Sequence, residues 1–302
     1  MLHISAAPHI HSSHSTRRVM LDVIISLLPA AIAGAIIFGA RALLVIGVCV
    51  GTAVLSEFLF NVIVKKEQSV DDFSAVVTGL LIALNLPANI PVWQAIVGSV
   101  FAIVVVKCFF GGIGKNIVNP AITARVFMLI AFTQMGTAAF PVDAVSSATP
   151  LSAGAASTSL LDLFLGNHGG AIGETCTLAL IIGGVYLIAR RVITWHLPVA
   201  FIGTVFLFTL VLVDFNAATA LAYTLSGGLF IGAIFMATDY VTSPATWGGQ
   251  ILFGLLAGVI TVMIRMFGNY PEGVSFAILL MNILTPYIDI WTSRKIIGGD
   301  RK

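Results

Sequence analysis

VVTGLLIALNL, Val76 to Leu86, and TLSGGLFIGAIFMAT, Thr224 to Thr238, are glycine-containing apolar segments that end at polar or proline-rich turns, Asn85-Leu86-Pro87 and Thr238-Asp239-Tyr240. At about 1.5 Å of rise per residue, the first covers only about half of a hydrocarbon core about 30 Å thick. A helix that stops part-way across a bilayer leaves backbone groups unsatisfied. Both segments are therefore expected to be broken or re-entrant helices that face protein or a cavity rather than lipid.

The runs on either side are long enough, or nearly so, to span, which takes roughly 17–25 residues. They are Val19 to Gly39, Ala42 to Val64, Val92 to Phe110, Pro120 to Gly136, Thr175 to Ala189, Leu197 to Phe215, Gly249 to Phe267 and Val274 to Trp291. With the two short segments as third and eighth, the chain reads as an all-α integral membrane protein of about ten transmembrane helices. The composition agrees: 58% of the 302 residues are hydrophobic and only 9% charged, against about 25% charged in a soluble domain.

The short segments occupy matching places, and their surroundings repeat. Asn85 precedes Trp93 as Asp239 precedes Trp247, Gln94-x-x-x-Gly98 recurs as Gln250-x-x-x-Gly254, and Phe110-Gly111 recurs as Phe267-Gly268. An odd number of helices per unit would turn the second unit upside down relative to the first. The expected layout is two inverted five-helix repeats with a binding site at their interface. It divides the chain into a tail (1–18), a first repeat (19–136), a loop (137–174), a second repeat (175–291) and a second tail (292–302).

Basic residues orient the chain. With the amino terminus in the cytoplasm, Arg17, Arg18, Lys65, Lys66, Lys107, Lys115, Arg190, Arg191, Arg294, Lys295, Arg301 and Lys302 fall on the inner side, and only Arg41 and Arg265 on the outer. Both termini are then cytoplasmic and the 137–174 loop lies outside. The net charge of +2 and the scattered basic residues give no nucleic-acid footprint. Cys49, Cys108 and Cys176 lie far apart with no metal spacing, and His3, His9, His11 and His14 in the first tail are irregularly spaced.

The loop contains Asp143-Ala144-Val145-Ser146-Ser147-Ala148-Thr149-Pro150 and no Lys or Arg. Pro150 biases Thr149 away from helix, and small neighbours leave its hydroxyl accessible. The segment D-A-V-S-S-A-T resembles the flavinylation motif, usually Asp-x-x-Ser/Thr-Gly-Ala-Ser/Thr, of the NqrB/RnfD family. That family takes in membrane subunits of Rnf complexes and of the sodium-pumping NADH:quinone oxidoreductase. Pro8-His9-Ile10, Ser15 to Val23, Leu28-Pro29-Ala30, Gly111 to Asn116 and Asn119-Pro120-Ala121 resemble further blocks of that family. Ser147 stands where the motif usually has glycine.

The resemblance implies FMN joined to Thr149 through a phosphoester, with Asp143, Ser146 and Ala148 completing the motif read by a flavin transferase outside the cytoplasm. It also implies a second, non-covalent flavin (riboflavin or FMN) among the helices. Candidates for that site are Asn116, Asn119, Thr123, Arg125, Thr238 and Asp239, although Asn119-Pro120 reads equally well as a helix cap followed by a first-turn proline. Arg125, about two turns inside an apolar helix, is expected to face a partner or a cavity. Asp22, Glu57 and Asp289 lie near helix ends and read as anchors or as parts of a cation path.

The implied function is that of the flavin-carrying subunit of an Rnf-type complex in a prokaryotic cell membrane, coupling electron transfer between ferredoxin and NAD to Na+ or H+ translocation. Its partners would be the other membrane and peripheral flavin and iron–sulfur subunits. The chain has no nicotinamide fingerprint and no iron–sulfur cysteine set, so it would relay electrons rather than catalyse alone. Two other readings fit the helices without the motif: a small-solute channel or transporter built on inverted repeats, and a flavin-free scaffold of a redox complex.

Overall fold

A computed structural model of the chain describes residues 15–132, 159–268 and 273–293. Every regular element among them is a helix: α1 (Thr16–Phe38), α2 (Ala40–Val64), α3 (Ser74–Leu84), α4 (Val92–Val100), α5 (Pro120–Ala131), α6 (Leu160–Leu165), α7 (Thr177–Ala189), α8 (His196–Leu212), α9 (Ala217–Leu225), α10 (Leu229–Ile231), α11 (Trp247–Phe267) and α12 (Val274–Thr292). Two continue with a wider helical pitch: α4 runs on as a π-helix over Phe101–Cys108, and α10 over Gly232–Met236. Such stretches are rare and concentrate at functional sites.

Among the described residues α1, α2, α11 and α12 are long and apolar enough to cross a membrane. The pair α9 and α10, bent by 64° at its break, makes a fifth candidate. The remaining apolar helices, α3, α4 with its π-helical extension, α5, α7 and α8, have 10–17 residues. The surface is that of a protein solvated by lipid. Ile36 and Ile63 are each 78% exposed, while Glu57, Lys107 and Arg125 are buried. This inverts the usual distribution in water.

The third segment begins two residues earlier than its hydropathy suggests, at Ser74, because Asp72 accepts from the Ser74 backbone N–H at 2.7 Å and from its hydroxyl. It ends at Asn85, ahead of Pro87. The eighth segment differs more. The chain enters as α9 well before Thr224, breaks at Ser226-Gly227-Gly228 and leaves as α10. Gly227 has φ +73°, which a side chain rarely tolerates. The loop after the fifth segment also carries a short helix, α6, that hydropathy alone did not mark.

Arginines serve the interruptions. Arg41 donates to the carbonyls of Ala88 (3.3 Å) and Ile90 (3.2 Å) beyond α3. Arg265 donates to the carbonyls of Tyr223 (2.7 Å) and Ser226 (3.2 Å) at the end of α9. Carbonyls freed by a helix break inside an apolar body need such donors. Close helix contacts rest on small residues. A Cβ on Gly183 of α7 would sit 2.1 Å from the Ser26 carbonyl oxygen of α1, and one on Gly258 of α11 would sit 2.6 Å from Cβ of Thr204 on α8.

Candidate functional site

A cleft of about 350 Å³ lies between the start of α1, the body of α3, the turn before α5 and the turn after α10. Its wall is largely apolar, with Leu81, Leu187 and Phe235. Its few polar groups include Lys107, Asn116, Asn119, Thr238 and Asp239. Small-molecule sites have this make-up, usually at about 300–1,000 Å³.

Asn119 caps α5. Its Oδ1 accepts from the backbone N–H of Ala121 (2.9 Å) and Ile122 (3.2 Å), and its Nδ2 donates to the Met236 carbonyl at 3.2 Å. The cap reading of Asn119-Pro120 therefore holds, and the same side chain ties α5 to the end of α10. Thr123 donates back to the Asn119 carbonyl at 2.8 Å, and Thr238 to that of Ile234 at 2.6 Å. Asp239 lies in the turn beyond α10. Burial raises its carboxyl pKa, and the Val241 N–H and the Thr242 hydroxyl offset part of that rise. Asn116 differs from these. Its Oδ1 is shielded from solvent and meets no donor among the described residues. The cleft thus brings together Asn116, Asn119, Thr238 and Asp239, whereas Thr123 and Arg125 lie outside its lining.

Arg125 sits instead at a junction of the two interrupted segments. Its Nη1 donates to Oδ1 of Asn85, the residue that ends α3, and its Nη2 lies 3.3 Å from Oε2 of Glu174. The α9–α10 break approaches from the other side, where a Cβ on Gly228 would stand 2.9 Å from Nη1. Asn85 Nδ2 lies 3.5 Å from Sδ of Met236, so the ends of α3 and α10 touch. Close by in sequence, His168 is buried with its Nδ1 3.0 Å from the Gly169 carbonyl, and burial lowers its pKa.

A second charged group was only partly visible in the sequence. Lys107, expected among the solvated inner charges, is 2% exposed and pairs with Glu57, 1% exposed. Its Nζ lies 2.8 and 2.9 Å from the two Glu57 carboxylate oxygens and 2.6 Å from Ser74 Oγ. Ser69 donates to Glu57 at 2.6 Å, and Asn61 donates to Ser69 at 3.0 Å. The signal was an acid and a base each embedded in an apolar run, but their pairing joins residues fifty positions apart. The other two acids behave as anchors. Asp22 accepts from Tyr186 at 2.9 Å and pairs with Arg190 at 3.4 Å, and Asp289 accepts from the Ala245 N–H at 3.0 Å.

Asp143, Ser146, Ala148 and Thr149 lie outside the described residues, as do the four histidines of the first tail.

Comparison with known proteins supplies what the geometry does not. Over 98% of its length the chain is 45% identical to the D subunit of the Na+-translocating ferredoxin:NAD+ oxidoreductase complex of Acetobacterium woodii, covering 95% of that protein. It is 40% identical to the D subunit of the proton-translocating ferredoxin:NAD+ oxidoreductase complex of Clostridium ljungdahlii, covering 99% of this chain and 96% of that one. The D subunit of the ion-translocating oxidoreductase complex of Actinobacillus succinogenes is 34% identical, with 99% and 98% covered. Residues 3–298 match the NQR2, RnfD, RnfE family, and the chain belongs to that family.

Proposed function

We propose that this chain is the flavin-carrying membrane subunit of a multi-subunit Rnf-type complex that couples electron transfer between ferredoxin and NAD to Na+ or H+ translocation. One observation carries the reading: similarity along almost the whole chain to relatives named as the D subunits of such complexes. One of those names specifies sodium and another protons, so family membership does not fix the ion.

In this reading Thr149 holds FMN through a phosphoester, and Asp143, Ser146 and Ala148 complete the motif that a flavin transferase reads. The tether keeps the effective concentration of the group high on the outer side, where free flavin would diffuse away. The cleft is assigned to the second, non-covalent flavin, riboflavin or FMN. Its apolar walls suit an aromatic ring system, and the unpartnered Asn116 oxygen is ready to accept from a ring N–H. The flavin supplies the redox chemistry, and the chain's part is to place it and set its surroundings. The inverted five-helix arrangement, with both termini cytoplasmic, is supported by the contact between the ends of α3 and α10 and by the arginines that serve each interruption.

Peptide mass spectrometry of the purified protein tests the core of the proposal. The 143–150 peptide should carry the mass of FMN on Thr149, and the denatured gel band should fluoresce under ultraviolet light. Thr149→Val should abolish both while leaving the protein inserted in the membrane. Fluorescence that persists in that variant would move the attachment elsewhere. A bare Thr149 in the native complex would overturn the assignment.

A further inference from the structure

Lys107 stands between two compartments. Its ammonium lies on the wall of the cleft, and it also closes the Glu57 cluster, held by both carboxylate oxygens and Ser74 Oγ at 2.6–2.9 Å. Ser74 in turn donates to Asp72. With both acids ionised, two carboxylates share one ammonium, and the cluster carries one negative charge in excess. A pair buried this deeply contributes little net stability, because desolvation offsets its attraction, and apolar residues of similar volume often serve as well. Stability alone therefore does not account for it. The oxygens around Nζ and Glu57 (two from Glu57, with those of Ser69, Ser74, Asp72 and Asn61) are of the hard type that holds small cations. In this structure the Lys107 ammonium fills the cation's place.

We propose that Lys107 is a charge-responsive latch, a positioning residue that couples the charge of the cleft's occupant to cation occupancy of the Glu57–Asp72 cluster. Negative charge arriving in the cleft draws the ammonium away from Glu57. The cluster then takes up one positive charge, a monovalent metal cation or a proton, and releases it when the charge leaves and Lys107 returns. One electron in is balanced by one cation in. The location of Lys107 on a π-helical stretch fits this role, since that geometry marks segments poised for local rearrangement. Other titratable groups facing the cluster and the cleft are Lys66, Cys108 and Asp239. The inference rests on the cleft holding an electron-accepting ligand, as proposed above.

The test uses the full chain with Thr149→Val, so that only non-covalent flavin remains, in reductive titrations at stepped Na+ concentrations and, without Na+, at stepped pH. The flavin midpoint potential should rise by about 59 mV per tenfold increase in the coupled cation for one cation per electron. A Na+ slope identifies a metal cation. A pH slope steeper than that of the charge-free variant identifies a proton. Lys107→Met should flatten the slope, Lys107→Arg should retain it, and Glu57→Gln should flatten it with flavin content unchanged. The neutral pair Lys107→Met with Glu57→Gln leaves no uncompensated buried charge, so it guards against misfolding and should also be flat. Slopes in these variants equal to that of the parent would overturn the latch while leaving the flavin assignment intact. A parent chain that binds no flavin would overturn the assignment of the cleft and the latch with it.

Discussion

At the scale of single residues, the buried charges divide by what each one touches. Arg125 holds Asn85 and Glu174 together where α3 ends, so its first duty is to the fold rather than to the cleft. Arg125→Leu leaves Glu174 without this partner in an apolar body. Breaking a buried pair from one side costs about 3–5 kcal/mol. The expected result is a large loss of thermal stability in detergent, partly recovered when Glu174→Gln is added. An unchanged melting temperature with selective loss of bound flavin would instead return Arg125 to the binding site. His168 offers a pH test. Its pKa is lowered by burial, so the fold favours the neutral ring. The stability this contributes is complete above the unfolded value of about 6.5 and is lost as pH falls through the lower folded value. Melting temperatures measured from pH 7.5 down to 5 should fall less steeply in His168→Gln than in the native chain. Parallel curves would show that His168 does not titrate in the fold.

At the scale of elements, the helices meet where side chains are smallest. Without a hydrophobic drive between apolar helices in lipid, close packing of small residues does much of the joining. Gly254 and Gly258 of α11 lie against Ala200 and Thr204 of α8. Gly258→Val would place methyl groups into Thr204, and overpacking of this kind costs about 1–3 kcal/mol. The same change at Gly203, which has open space around its Cβ position, should be close to neutral, and side-by-side thermal melts would show whether the interface is as tight as its geometry. This scale also marks the limit of what could be read beforehand. The long runs were legible because lipid demands continuous apolar sequence. The short third segment was legible because Pro87 and Asn85 end it. The α9–α10 break was seen only as shortness, since its shape depends on Arg265 reaching back to Tyr223 and Ser226 from a helix some forty residues later. The cleft was half legible. Asn116, Asn119, Thr238 and Asp239 do converge there, but Arg125 and Lys107 took partners that no local pattern encodes.

At the scale of the whole molecule, orientation follows from where basic side chains remain free. Burial of Lys107 removes one charge from the inner tally, yet Arg17, Arg18, Lys65, Lys66, Lys115 and Arg191 are exposed at that end. Arg41 and Arg265, the two basic residues expected outside, are engaged by backbone carbonyls and are not free to interact with headgroups. The asymmetry that retains the cytoplasmic side is thus sharper than a count of residues suggests. Cys49 and Cys108 are buried and Cys176 is half-buried, so a membrane-impermeant maleimide should find little native background. In intact cells, Thr149→Cys should be labelled from outside. Lys115→Cys, in the turn ahead of α5, should be labelled only after the membrane is opened. The reverse pattern would place the proposed flavin attachment in the cytoplasm, where a transferase acting outside could not reach it, and both the orientation and the assignment of Thr149 would have to be abandoned together.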